Sequence, residues 1–180
     1  EYRRVGRFEG VREVMAMATP VILGTLSYTV MQFADNYFVG QLGSEPLAAV
    51  GSSGIWAVAI AAFFMGTVGC VATFVSQSIG RGKPEDSAPY AWQGIYISIV
   101  GGVGALVLWP FIDTLFNSMG HAPEVARMET VYFRIRLLGF VFIAWQVALT
   151  SFFQAVSRAS IPMVAAFAAN ALNFVLDPLL

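Results

Sequence analysis

Charge is what this sequence has least of. Only 12% of its 180 residues are Asp, Glu, Lys or Arg, against about 25% in a soluble domain. The net charge is −1, which leaves no basic surface for a nucleic-acid partner. Cysteine and histidine are almost missing. Cys70 stands alone, so it has no internal disulfide partner, and a metal site would need other ligands; its residue type predicts a small apolar core position. His121 is the one histidine, and its Met119-Gly120-His121-Ala122-Pro123 setting reads as a connecting loop. Without a Cys/His cluster a zinc or haem site finds no ligands. Enzyme signatures are also missing: no nucleophile elbow, no Walker loop, no His-Glu-x-x-His, no paired acid and histidine. Gly101-Gly102-Val103-Gly104 falls inside an apolar run, not between a strand and a helix, so it is no phosphate cradle. The sequence predicts neither an enzyme nor a cofactor.

Apolar length is what the sequence does have. Hydrophobic residues make up 57% of the chain. Glu45 and Arg81 bracket an uncharged stretch, 46–80, longer than the roughly 20 residues that cross a hydrocarbon core as a helix. Five spans are predicted, at about 14–39, 47–79, 88–112, 132–156 and 160–180, after a cytoplasmic segment 1–13. The breaks carry turn chemistry: Gly40 to Pro46, Gly80 to Pro84, Gly120 to Pro123 and Arg158 to Pro162. The second span has no polar face, which fits a helix deeply buried or in a membrane. Barrel strands would alternate over about 10 residues, and these runs do not. The expectation is an all-α, polytopic integral membrane bundle. The chain begins at Glu1 and ends in the apolar Pro178-Leu179-Leu180, so it reads as a piece of a longer protein. Its first apolar run, about 20 residues, is too long for a cleavable signal.

Lysine and arginine set the orientation. Arg3, Arg4, Arg7, Arg12, Arg81, Lys83 and Arg158 fall on one side, and Arg127, Arg134 and Arg136 on the other. The majority side predicts a cytoplasmic N-terminus. The three exceptions are read as a short amphipathic helix, Pro123–Arg136, lying on the outer surface ahead of the fourth span.

Two acids interrupt the apolar runs. A charge in hydrocarbon costs roughly 2.5–3.5 kcal/mol on insertion scales. Asp35 lies about 21 residues, or about 30 Å, into the first span, and Asp177 about 17 residues, or about 26 Å, into the fifth. Both fall in the outer half, so they meet if those spans are neighbours. Gln32 and Asn36 add polar atoms a turn apart beside Asp35. Asn170, Asn173 and Asp177 recur at i, i+3, i+7, on one helical face. Pro178 withholds an N–H and frees a carbonyl in the preceding turn. Two readings of Asp35 stay open: a hydrated residue at the outer interface, or a cavity-facing carboxylate that binds a proton or metal cation. Asn170 reads most simply as an interhelical hydrogen bond.

Four sequence blocks resemble the N-terminal lobe of the multidrug and toxic compound extrusion (MATE) family. They are residues 34–43 (ADNYFVGQLG) with 47–51 (LAAVG), 75–83 (VSQSIGRGK), 152–156 (FFQAV) and 170–180 (NALNFVLDPLL). The resemblance implies five helices of a six-helix N-lobe within a twelve-helix fold, the sixth helix and the C-lobe lying outside this sequence. It implies a cation-coupled antiporter, driven by Na⁺ or H⁺, that exports organic, often cationic or amphipathic, compounds across the inner membrane of a prokaryote. It further implies a cation site at Asp35, Asn173 and Asp177, with Gln32, Asn36 and Asn170 as added polar surroundings and Pro20 as the bend of the first helix. The partners so implied are small organic substrates and the lipid bilayer, for a protein acting as a monomer when full length. A lipid-linked oligosaccharide flippase of the same superfamily and a non-transporting membrane scaffold are the alternatives.

Overall fold

The computed structural model describes residues 7–177, with the backbone alone for residues 7–10 and Phe64. Arg3, Arg4 and the Pro178-Leu179-Leu180 end lie outside the described residues. The chain is a succession of helices: α1 (Arg7–Gln41), α2 (Ser44–Gly80), α3 (Ser87–Ala105), the six-residue α4 (Ile112–Asn117), α5 (Pro123–Ala155) and α6 (Ser160–Leu176). Four stretches are long and apolar enough to cross a membrane: Val11–Gln41, Ser44–Gly80, Pro84–Asn117 and Pro123–Ala155. Ser160–Leu176 is a shorter apolar helix.

Two departures from the sequence expectation have local causes. The third span is not one regular helix. Beyond Ala105 the chain tightens into a 3₁₀ segment, Leu106–Phe111, before α4. Pro110 lies in that segment, where its ring removes a helical donor and restricts the residue before it. In the fourth span, Pro123–Arg136 is no separate surface helix. It is the first part of the continuous 33-residue α5, started by Pro123 at the helix N-terminus, where a missing N–H costs nothing.

The helices divide into two packing groups. α2, α3 and α5 pack closely together, with α4 against α5. α6 packs chiefly on α1, and each of these touches the larger group only lightly. One side of α5 carries Ala126, Thr130, Phe133, Leu137, Phe140, Ala144 and Ala148, all buried, at intervals of three or four residues. Phe133, Leu137 and Phe140 meet Ala105, Ile112 and Phe116 in the main core. α3 approaches so closely that a Cβ on Gly102 would overlap Val141 of α5, and one on Gly94 would come within 2.6 Å of Val71. Trp145 adds a cross-helix bond, its indole N–H donating to the Ile95 carbonyl at 3.3 Å.

Large apolar side chains on the outside, among them Phe33, Ile55, Phe63 and Val100, are more than 70% exposed. Such a continuous apolar surface suits lipid contact rather than water. Cys70 belongs to that exposed set, which corrects the expectation of a core position. The turn after α2 places Gly82 at φ +73°, and the turn after α5 places Ser157 at φ +60°. Both turns close with the paired bonds of a helix stop: Lys83 N–H to Ser78 and Gly82 N–H to Ile79, then Arg158 N–H to Phe153 and Ser157 N–H to Gln154.

Candidate cation and substrate site

α1 and α6 face one another through their polar residues. Of the last eight residues of the described chain, Asn170, Asn173 and Asp177 are half-buried while Ala171, Leu172, Phe174, Val175 and Leu176 are exposed. The i, i+3, i+7 stripe of α6 is therefore its α1-facing side. Asn170 donates from Nδ2 to Ser27 Oγ of α1, an interhelical tie. Phe38 and Phe174 meet edge to face at 6.4 Å near the same end. Asn170 and Asn173 line a cavity of about 250 Å³ between the two helices, with Ser27 and Met31 on its other wall.

Asp35 and Asp177 are brought together. The Asp177 carboxyl is near enough to act directly on that of Asp35, and Arg136 is the positive group whose field also reaches Asp35. Each acid keeps one fully covered oxygen, Asp35 Oδ1 and Asp177 Oδ2, with no hydrogen-bond partner. A buried acceptor left unmatched is costly. Two adjacent carboxylates in a low-dielectric setting repel unless a proton or cation lies between them. The donors are hard oxygens, which fits H⁺ or Na⁺ better than a thiol- or imidazole-seeking metal. The backbone N–H of Asp177 closes on the Asn173 carbonyl, which caps α6.

A second cavity, of about 470 Å³, lies between α1 and the α2–α5 pair. Asp35, Gln32 and Tyr28 face it from α1, Arg136 and Gln146 from α5, and apolar residues such as Ile60, Met65 and Phe140 fill out its walls. Asn36, a turn beyond Gln32, is exposed and lines neither cavity. Pro20 sits inside α1, which runs on through it; its missing N–H leaves the Ala16 carbonyl without a helical donor.

Two charged positions depart from the sequence expectation. Arg136, expected at the outer surface, is half-buried and lines the larger cavity. Glu129, which no sequence motif marks, has a fully buried side chain. It accepts from Ser52 Oγ of α2 and from His121 Nδ1, at 2.9 and 3.1 Å to its two oxygens. His121 is therefore no plain loop residue, and an acid–histidine pair does exist. The signal for Glu129 was available, because it occupies the apolar side of α5, three residues after Ala126 and four before Phe133. The other α5 charges are locally engaged. Arg127 pairs with Glu124, and Arg134 pairs with Asp113 at 2.6 Å while lying over Trp109.

Comparison with known proteins decides the kinship. The MatE family model matches residues 20–179. The chain belongs to the MatE family. MatE proteins are transporters, and the relatives carry names to match. A probable multidrug resistance protein NorM of Neisseria meningitidis is 29% identical over 170 residues, covering 93% of this chain and 37% of that protein. Multidrug resistance protein PmpM of Pseudomonas aeruginosa is 26% identical over 132 residues, covering 72% and 28%. Among solved structures, a MATE protein in complex with MaL6 superposes with a TM-score of 0.86 at 28% identity. An outward-facing multidrug resistance MATE transporter does so with 0.82 at 29%. Each of the two covers 92% of this chain and 37% of the solved one. The chain thus spans roughly a third of the length of its MatE relatives. The likeness extends over all six helices, so this is a multi-pass membrane transporter fold built from helices alone among the described residues.

Proposed function

We propose that this chain forms the ion-coupling part of a drug-exporting antiporter. The observation that carries the reading is the pair of facing carboxyl groups, each with a covered, partnerless oxygen, one of which also looks into the larger cavity. A cation held between Asp35 and Asp177, with the Asn173 amide oxygen nearby, relieves their repulsion and draws α6 onto α1. The same event removes the negative charge that a cationic compound in the adjoining cavity would use. Ion and drug therefore stabilise different states, and that difference in affinity is what an exchange cycle requires. The names of the relatives, multidrug resistance proteins NorM and PmpM, support export of organic compounds as the direction of traffic.

The proposal extends to location. The protein acts as a monomer in the inner membrane of a prokaryote with its N-terminus in the cytoplasm, on the seven-to-three distribution of Lys and Arg. Either Na⁺ or H⁺ satisfies the oxygen donors. The cavity holds one cationic side chain, Arg136, too few for the pyrophosphate headgroup of a lipid-linked oligosaccharide.

The test is efflux by the intact protein in vesicles, with Na⁺ and proton gradients imposed separately. One gradient drives efflux in the wild type. Asp35→Asn and Asp177→Asn each reduce that efflux at least tenfold, and wild-type rates in both variants refute the assignment.

A further inference from the structure

The larger cavity has an opposing charge in it. Arg136 projects from α5 into the space that Asp35 enters from α1. No Asp or Glu lies within ion-pair distance of it among the described residues. Its partner is Tyr132 one turn earlier, whose hydroxyl accepts from Nη1 at 3.2 Å while the guanidinium lies 5.7 Å from the ring centre. That arrangement fixes the position of the charge without neutralising it. A fixed arginine in hydrocarbon is expensive and persists where it faces a cavity. Arginine also stays charged at any working pH. A cavity built only to attract organic cations has no use for such a group.

We infer that Arg136 is the residue that makes the ion-loaded cavity repel cationic substrates. This rests on the ion site at Asp35 and Asp177 proposed above. With Asp35 ionised, the cavity carries one negative and one positive group, and a cationic compound is held beside the carboxylate. Once a cation occupies the acid pair, Asp35 no longer offsets the guanidinium. The cavity then presents a net positive charge to its contents. Loss of attraction becomes active repulsion, and the organic cation leaves more completely than competition at Asp35 alone would achieve. Charges sharing a cavity of this size interact by about one to two factors of ten in binding at an effective dielectric near 20. Arg136 is thus a positioning charge for coupling.

The experiment measures binding of tetraphenylphosphonium, a permanent monovalent cation, to the purified intact protein with and without saturating Na⁺, and separately at acidic against neutral pH; the ion that competes is the coupling cation. Triphenylphosphine oxide, similar in shape and uncharged, is measured alongside. In the wild type the coupling cation weakens tetraphenylphosphonium binding strongly and leaves the oxide unchanged. Arg136→Gln is expected to tighten tetraphenylphosphonium binding in the ion-loaded state by about tenfold, shrinking the competition ratio, with the oxide unaffected. Arg136→Lys keeps the charge and retains the wild-type ratio. Tyr132→Phe keeps the arginine but frees it, and gives an intermediate ratio. An unchanged ratio in Arg136→Gln overturns the inference. An equal shift for the oxide does so too, since it would make the effect one of shape. Asp35→Asn separates the two readings: if it leaves the ion effect intact, the ion site itself is wrong, whatever Arg136 does. Should Arg136→Gln fail to fold, a reduced ratio in Tyr132→Phe against a wild-type ratio in Arg136→Lys supports the inference, and equal ratios in both refute it.

Discussion

Removal of His121 tests how the buried Glu129 is held. Glu129 is fully covered and has two visible partners, the Ser52 hydroxyl and the His121 imidazole. The histidine Nδ1–H donates to the carboxylate, which fixes the tautomer of the ring. His121→Ala leaves the acid with one neutral donor. Leaving a buried acceptor without its partner costs about 1–3 kcal/mol. The His121 side chain is 38% exposed, however, and water entering the vacated space recovers part of that. A hydrogen bond to a charged group is worth about 1.5–3 kcal/mol, so about 2 kcal/mol is expected. Glu129→Gln keeps the shape and removes the charge. If the charge is what needs the histidine, His121→Ala costs clearly less in the Glu129→Gln background, with a coupling of about 1–2 kcal/mol in the double-mutant cycle. Reversible detergent unfolding of the four proteins, followed by tryptophan fluorescence, measures each term. A wild-type midpoint in His121→Ala refutes the reasoning, and so does a coupling near zero.

Helix packing and turn chemistry give two further expectations. Gly102→Ala forces a methyl into Val141 at the α3–α5 contact and should lower stability by about 1–3 kcal/mol. Gly104→Ala meets nothing within 4 Å and should be neutral or slightly stabilising in the same unfolding assay; equal effects of the two would contradict the close approach. Ser157→Gly relieves a side-chain-bearing residue held at φ +60° and should raise stability by about 1 kcal/mol, whereas a loss would show that the serine side chain has a role there.

The membrane character of the chain was legible because hydrocarbon tolerates so few sequences. A 35-residue uncharged stretch has no soluble equivalent. The common depth of Asp35 and Asp177 was legible too, from rise per residue and alternating direction, whereas the packing of α6 on α1 that joins them was not. Asn170, Asn173 and Asp177 needed only the helical period. The α5 charges were not legible by the same route. Arg127, Arg134 and Arg136 together resembled a surface helix, and average composition hid that they point in different directions. Arg134 reaches Asp113, 21 residues away, a pairing that depends on where α4 folds back. Glu129 was concealed by its charged neighbours, although its register with Ala126 and Phe133 marked it. The break at Leu106–Phe111 had a visible cause in Pro110, but an apolar run reads the same whether its helix is regular or tightened.

Among the described residues, the chain joins the α1–α6 pair to the other helices at two turns. One is the turn after α1, where Gly43 stands at φ +125°, and the other is the turn before α6, where Ser157 stands at φ +60°. Successive helices run in opposite directions, so these ties lie at opposite ends of the bundle, like the upper and lower hinges of a door. The pair packs only lightly on the other helices, so a swing about the line joining these turns would disturb few contacts. Such a swing widens or narrows the larger cavity along its whole height, and no helix has to unwind.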